Sequence, residues 1–247
     1  MNIAQNLIET ARPLSTGCTI TDVRLGLGYT IVEINNGSAG LAWSPDKKQS
    51  GSCTHLRKAG CLVGMDAGEP LTWLDSENFL EWAIGLATFN ALNSKVDRDL
   101  LHEESISLLK LKNTDRVVMV GYFAPLIPKI KETGCELTIV ELDGGKPGVI
   151  AVGPGMMALS ACDVAIITST SIINNTIDGL LAALNGSRAA VMLGPSTPVC
   201  PEAFADTGIT QLSGSYVVDV DRAKTIVSQG GGTMLLKKSL RFSSAQI

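Results

Sequence analysis

The run Asp163-Val-Ala-Ile-Ile-Thr-Ser-Thr-Ser-Ile-Ile-Asn-Asn-Thr176 places seven polar residues between Thr168 and Thr176, directly behind an apolar stretch. Hydroxyls and amides at this density donate and accept hydrogen bonds without carrying charge. Thr168, Ser169, Asn174, Asn175 and Thr176 are therefore candidates for gripping a small ligand. Free backbone N–H groups at the head of a following helix would add pull on a phosphate, carboxylate or enolate oxygen. Capping of that helix by Ser171 or Asn174 explains one or two of these residues, not seven. A second loop, Gly194-Pro-Ser-Thr-Pro198, follows the apolar Val191-Met-Leu193. Gly194 and two prolines fix the backbone, so Ser196 and Thr197 would present rigid hydroxyls. The simpler reading is a plain turn.

A third candidate is the turn Val120-Gly-Tyr-Phe-Ala-Pro125, with Gly121 open to close approach and Tyr122 and Phe123 beside it. Glu141 stands 20 residues beyond Gly121, the spacing at which dinucleotide folds place the acid that holds ribose hydroxyls. The G-x-G-x-x-G fingerprint itself is absent, and a tight turn with an acid at a strand end explains the same residues. Cys53-x-His55-x₅-Cys61 contains metal-ligand types. It lacks paired C-x-x-C spacing and a nearby fourth ligand, so packed thiols and a surface histidine are the plainer explanation. No G-x-S-x-G elbow and no P-loop occur. The acid–base candidates are Glu33, Glu141, Asp143 and Asp163, the last at the wrong end of its strand for chemistry.

These residues need a frame, and the chain supplies two kinds. Residues 2–12 predict a helix stopped by Pro13, and three strands follow near 19–25, 29–34 and 40–43, with Asn35-Asn-Gly37 as a hairpin turn. A short helix is expected over 52–61 and an amphipathic one over 76–92. After a polar linker the pattern alternates: strands near 117–120, 137–141, 164–168 and 189–193, with helices near 125–132, 154–160, 174–184 and 219–229 between and after them. Such alternation implies a parallel sheet. The last residues read as a polar surface end. The expectation is an α/β protein: a small α+β domain over residues 1–97 and a mainly parallel domain over 98–247. In open α/β sheets, ligands sit beyond the carboxyl ends of strands, which is where all three loops fall.

Composition narrows the function. The chain has 247 residues, 45% hydrophobic, with a net charge of −4. An acidic chain with 4% aromatics offers neither a phosphate-binding face nor stacking platforms for nucleic acid. Neither a signal peptide nor a membrane span is expected. Six unpaired cysteines fit free thiols in a reducing cytoplasm.

Three segments, Val-Gly-Tyr-Phe-Ala-Pro125, Asp163–Asp178 and Leu-Gly-Pro-Ser-Thr-Pro198, together resemble the "putative heavy-metal chelation" family. Gly-Leu-Gly-Tyr-Thr-Ile-Val32, Gly40-Leu-Ala-Trp43 and Leu86–Ser94 are similar to its other half. The resemblance implies an enolase-N-terminal-like domain joined to a Rossmann-like domain, with metal handling in the cleft between them. By position it implies a cleft lined by Thr30, Asn90 and Asn93 from one side. Gly121, Tyr122, Phe123, Thr168, Asn174, Asn175, Ser196 and Thr197 would come from the other. Hydroxyls and amides are poor ligands for soft metals, so a metal would be held through a chelating organic molecule. The expected partner is thus a small anionic or metal-chelating molecule. Three readings stand: a binding protein for such a molecule or for a metal ion, an enzyme acting on a small organic anion or nucleotide-like substrate, and an oligomeric scaffold. A dimer is the default assembly.

Overall fold

A computed structural model describes residues 2–45, 54–141 and 148–247. Helix α1 (Ile3–Ala11) is capped by the Asn2 side chain, which accepts from the Gln5 N–H, and it buries Ile3, Leu7 and Ile8. Strands β1 (Ile20–Leu25), β2 (Tyr29–Ile34) and β3 (Ala39–Trp43) form an antiparallel sheet in that order. The expected turn lies between β2 and β3: the Ile34 N–H reaches the Ser38 carbonyl, and Gly37 takes φ +78°. Helices α2 (Gly68–Leu71) and α3 (Phe79–Asn93) follow.

The sequence suggested a striped α3. Instead every residue from Trp82 to Asn93 is buried, because the helix is covered on all sides. On the sheet side, Gly40 of β3 makes this possible. A Cβ there would lie 2.1 Å from the Ala87 carbonyl oxygen and 2.3 Å from the Ala91 nitrogen. The cap is Asn78, which accepts from the Leu80 N–H. Residues 54–61 form turns and no helix.

Past the linker come α4 (Ser105–Leu108), β4 (Arg116–Val120), α5 (Ile127–Glu132), β5 (Glu136–Val140), β6 (Val149–Ile150) and α6 (Val152–Ser160). Then follow β7 (Val164–Thr168), α7 (Thr170–Ile173), α8 (Ile177–Ala183), β8 (Ala189–Leu193) and β9 (Gln211–Val217). Helices α9 (Val220–Ser228) and α10 (Thr233–Leu236) and strand β10 (Leu240–Gln246) end the chain. The seven strands run in the order β10-β9-β8-β7-β4-β5-β6, all parallel except β10. Counted from β4, that is 3-2-1-4-5-6 with an antiparallel edge, the order of doubly wound dinucleotide-binding sheets. The chain turns left of β4 to build β5 and β6 and right of it to build β7 onward. The gap between the loops leaving β4 and β7 is thus a topological switch point.

Two expectations are corrected. The tail is strand β10, because its polar Ser243 and Ser244 find partners in His102 and Ser213 at 3.0 and 2.7 Å. The helix expected over 174–184 starts only at Ile177, because Asn175 turns the chain at φ +56°, and a separate short helix, α7, precedes that turn with Ile172 and Ile173 fully in the core. One apolar cluster runs through both parts of the molecule, including Ile84 and Phe89 from one and Ile167, Met192 and Phe204 from the other.

Candidate functional site

At the switch point lies a cavity of about 370 Å³. Its floor is the end of β4 (Val120, Gly121), the end of β5 (Val140, Glu141) and Thr168 at the end of β7. Its sides are Val152, Gly155, Met156 and Leu159 of α6, Thr170 and Ser171 of α7, Asn174, Thr176, and Leu180 of α8. Trp43, the last residue of β3, closes it from the antiparallel sheet.

Local structure explains why these side chains meet. Parallel pairing aligns Val120 with Val140 on one side and with Ile167 on the other, so the three strand ends are level. Gly121 turns the chain away at φ +97°, a conformation that favours glycine, and its N–H is held by the Val140 carbonyl at 2.8 Å. A Cβ there would sit 2.9 Å from the Cβ of Thr168. Thr168 and Thr170 share a hydroxyl–hydroxyl bond of 3.0 Å, and the Ser171 hydroxyl donates to the Thr168 carbonyl at 2.6 Å. The Thr176 hydroxyl donates to Asn174 Oδ1 at 2.7 Å. The Asn174 amide nitrogen makes no hydrogen bond with the described residues, so both of its N–H donors are available to a ligand.

The wall therefore carries a carboxylate acceptor (Glu141), an amide donor (Asn174), hydroxyls, and a large apolar area that includes one indole. Among the described lining residues there is no Lys, Arg or His. This chemistry suits a molecule with an apolar or aromatic body and hydroxyl, amine or amide edges. It offers no counter-charge to an anion, and α7, at four residues, is too short to supply a strong dipole.

Five of the predicted residues meet here: Gly121, Glu141, Thr168, Asn174 and Thr176. The others are placed elsewhere. Thr30 is fully buried and bonded to the Ser44 hydroxyl at 3.0 Å. Ser196 Oγ accepts from the Trp43 N–H at 2.8 Å, and the Asn90 side chain donates to the carbonyls of Leu41 and Ser196. Asn93 donates to the Val199 carbonyl at 2.9 Å. Thr197 and Ser169 are buried, and Gly194 bonds the Ser213 carbonyl. Asn90, Asn93 and Ser196, with the Trp43 N–H, form a hydrogen-bonded seam between the two parts, whereas Thr30, Ser169 and Gly194 bond within their own part. Tyr122 and Asn175 are exposed, and Phe123 packs on the apolar cluster on the far side of the sheet. Asp163 lies at the opposite end of β7, where the Arg116 N–H and guanidinium hold its carboxylate below the ordinary range. Glu33 is paired with Lys224. Asp143 is outside the described residues.

Sequence reasoning did not assign Trp43, Thr170, Ser171 or the α6 side of the cavity. Thr170 and Ser171 stood within the polar run, and a strand-terminal Trp in an aromatic-poor chain was the one signal for the lid.

Cys53 lies outside the described residues, while His55 and Cys61 are exposed. Among the described residues no three or more His, Cys, Asp or Glu side chains cluster so as to hold a metal ion. Cys200 is buried, and burial with a hydrogen bond to Glu202 pushes its thiol up to about 12, which keeps it protonated and a poor ligand.

Two sequence profiles, both described as "Putative heavy-metal chelation", match this chain, one over residues 104–246 and the other over 7–93. An uncharacterized protein of Methanocaldococcus jannaschii is 23% identical over 219 residues, 86% of this chain and 83% of that protein. A protein of unknown function from Pyrococcus horikoshii superposes with a TM-score of 0.86 at 19% identity, covering 100% of both chains. Another, from Desulfitobacterium hafniense, gives a TM-score of 0.79 at 22% identity, covering 98% of this chain and 99% of its own. Both solved structures are likenesses of fold, and on the profile matches the chain belongs to the family described as "Putative heavy-metal chelation".

Proposed function

We propose that this is a small-molecule binding protein whose site is the switch-point cavity, and that its ligand is uncharged or cationic, with a flat apolar body and a hydroxyl or amine edge, as in a nucleoside. The observation that carries this is the meeting of Glu141, Asn174, Thr168 and Thr176 around one apolar hollow at the carboxyl ends of β4, β5 and β7. The dinucleotide-type strand order supports a Rossmann-like reading. The missing glycine fingerprint, and a wall whose described residues hold a carboxylate and no Lys, Arg or His, argue against a pyrophosphate.

The family description points to heavy metals, and the donor set does not fit one bound directly. Hydroxyls, an amide and a single carboxylate are hard, mostly neutral oxygen donors, whereas soft metals select thiolate and imidazole. A metal would enter this cavity only as a complex with an organic molecule.

Titration with adenosine tests the reading. The wild-type chain is expected to bind saturably, and Glu141→Gln to weaken binding about tenfold by replacing a charge-assisted acceptor. Equal binding by wild type and variant, or none by either, would contradict it. A carboxylate in the wall also suits proton transfer, so the enzyme reading is favoured if Glu141→Gln removes a turnover while leaving substrate binding measurable.

A further inference from the structure

A second hollow, of about 730 Å³, lies toward the other end of the sheet, beyond the carboxyl end of β9. Its walls are the β2–β3 turn, the linker after α3, and the β9–β10 edge. It shares no lining residue with the switch-point cavity. Its electrostatics are also opposite. Lys95, Arg98 and Arg241 line it with His102 and one carboxylate, Asp99, and Arg98 is further paired with Glu202, in a chain whose net charge is −4.

We propose that this groove binds a small, multiply charged oxyanion, a phosphate or polycarboxylate carried on an organic body. Arg241 is exposed and its guanidinium makes no hydrogen bond or ion pair with the described residues, so it is available for two-pronged contact with an oxyanion. Among the described residues Lys95 Nζ meets only the Asn36 carbonyl, at 2.6 Å, and no carboxylate. Arg98 is fixed in advance, its side chain 10% exposed and tied to Asn93 Oδ1 at 2.8 Å and to Glu202. Ser38, 5% exposed, carries a buried hydroxyl with no partner among the described residues, an unmet hydrogen bond in the wall. Tyr216 adds a phenol that burial keeps protonated, with Arg98 pulling the other way more weakly. Leu100 and Val217 give the organic body an apolar seat.

The test is calorimetric titration of the full chain at low ionic strength with pyrophosphate and, separately, citrate. Saturable binding is expected, weakened about tenfold by Arg241→Gln and by added salt. Asp99→Asn should tighten it about threefold by removing a like charge. Saturation by pyrophosphate alone would support the site and mark it for phosphate. Saturation by citrate alone would support it and mark it for carboxylates. No saturable binding of either anion, or an unchanged affinity in the Lys95→Gln/Arg241→Gln double variant, would overturn it. Adenosine binding at the switch point should be untouched by these surface variants, so failure of one site is distinguishable from failure of the other.

Discussion

Glu141, Asn174 and Gly121 show how far single residues could be read. The spacing from Gly121 to Glu141 and the density of hydroxyls after β7 were visible in one dimension, and the fold brings those residues to one wall. Ser196 and Thr197 carry the same side-chain types, yet they lie in a buried seam. A rigid Ser-Thr loop looks alike whether it faces a ligand or another strand, and only packing decides. Gly121→Ala should lower stability by about 1–3 kcal/mol, because φ +97° strains any residue with a Cβ and that Cβ would press on Thr168. It should also push Thr168 into the cavity. Urea denaturation and adenosine titration read the two effects separately, and an Ala variant as stable and as competent as wild type would refute the argument.

At the scale of elements, strands were legible because buried parallel strands are continuous apolar runs, and β7 and β8 match their expected bounds of 164–168 and 189–193. Strand β10 was not, because two of its four buried positions are serines, Ser243 and Ser244, whose hydroxyls are bonded to distant partners. The contact of α3 with β3 depends on one missing methyl group. Gly40→Ala should destabilise the protein by about 1–3 kcal/mol through overpacking, read as a lower melting temperature. The start of β4 is anchored differently. Asp115, buried, accepts from the Lys112 N–H and pairs with Arg188, which also donates to the Leu109 carbonyl. The Arg188 hydrogen bond holds the Asp115 carboxyl below the usual range. A depressed folded-state pKa stabilises above the unfolded value of about 3.9 and is lost as pH falls through the folded one. Asp115→Asn should therefore cost about 1–3 kcal/mol at neutral pH, with a deficit that narrows as pH drops below about 4. A deficit constant with pH would reject this assignment.

For the whole molecule, the sequence sets the expectation that strands-then-helices give way to alternation near residue 97, and it does not show how the two stretches join. Asn90, Asn93, Ser196 and Trp43 bond across it, and one apolar cluster spans it. We expect the two parts to unfold together, in one calorimetric transition whose van't Hoff and calorimetric enthalpies agree. Two resolved transitions would mean that the seam contributes little. The joint also places Trp43 over the cavity, so both parts line the candidate site. The most direct measurement is to extract and identify by mass spectrometry what accompanies the wild-type and Glu141→Gln proteins, purified without added metal. A small organic molecule with a hydroxyl or amine edge, near stoichiometric in wild type and depleted in the variant, is the predicted result. A heavy-metal ion retained at equal occupancy in both, with no organic molecule, would contradict the account.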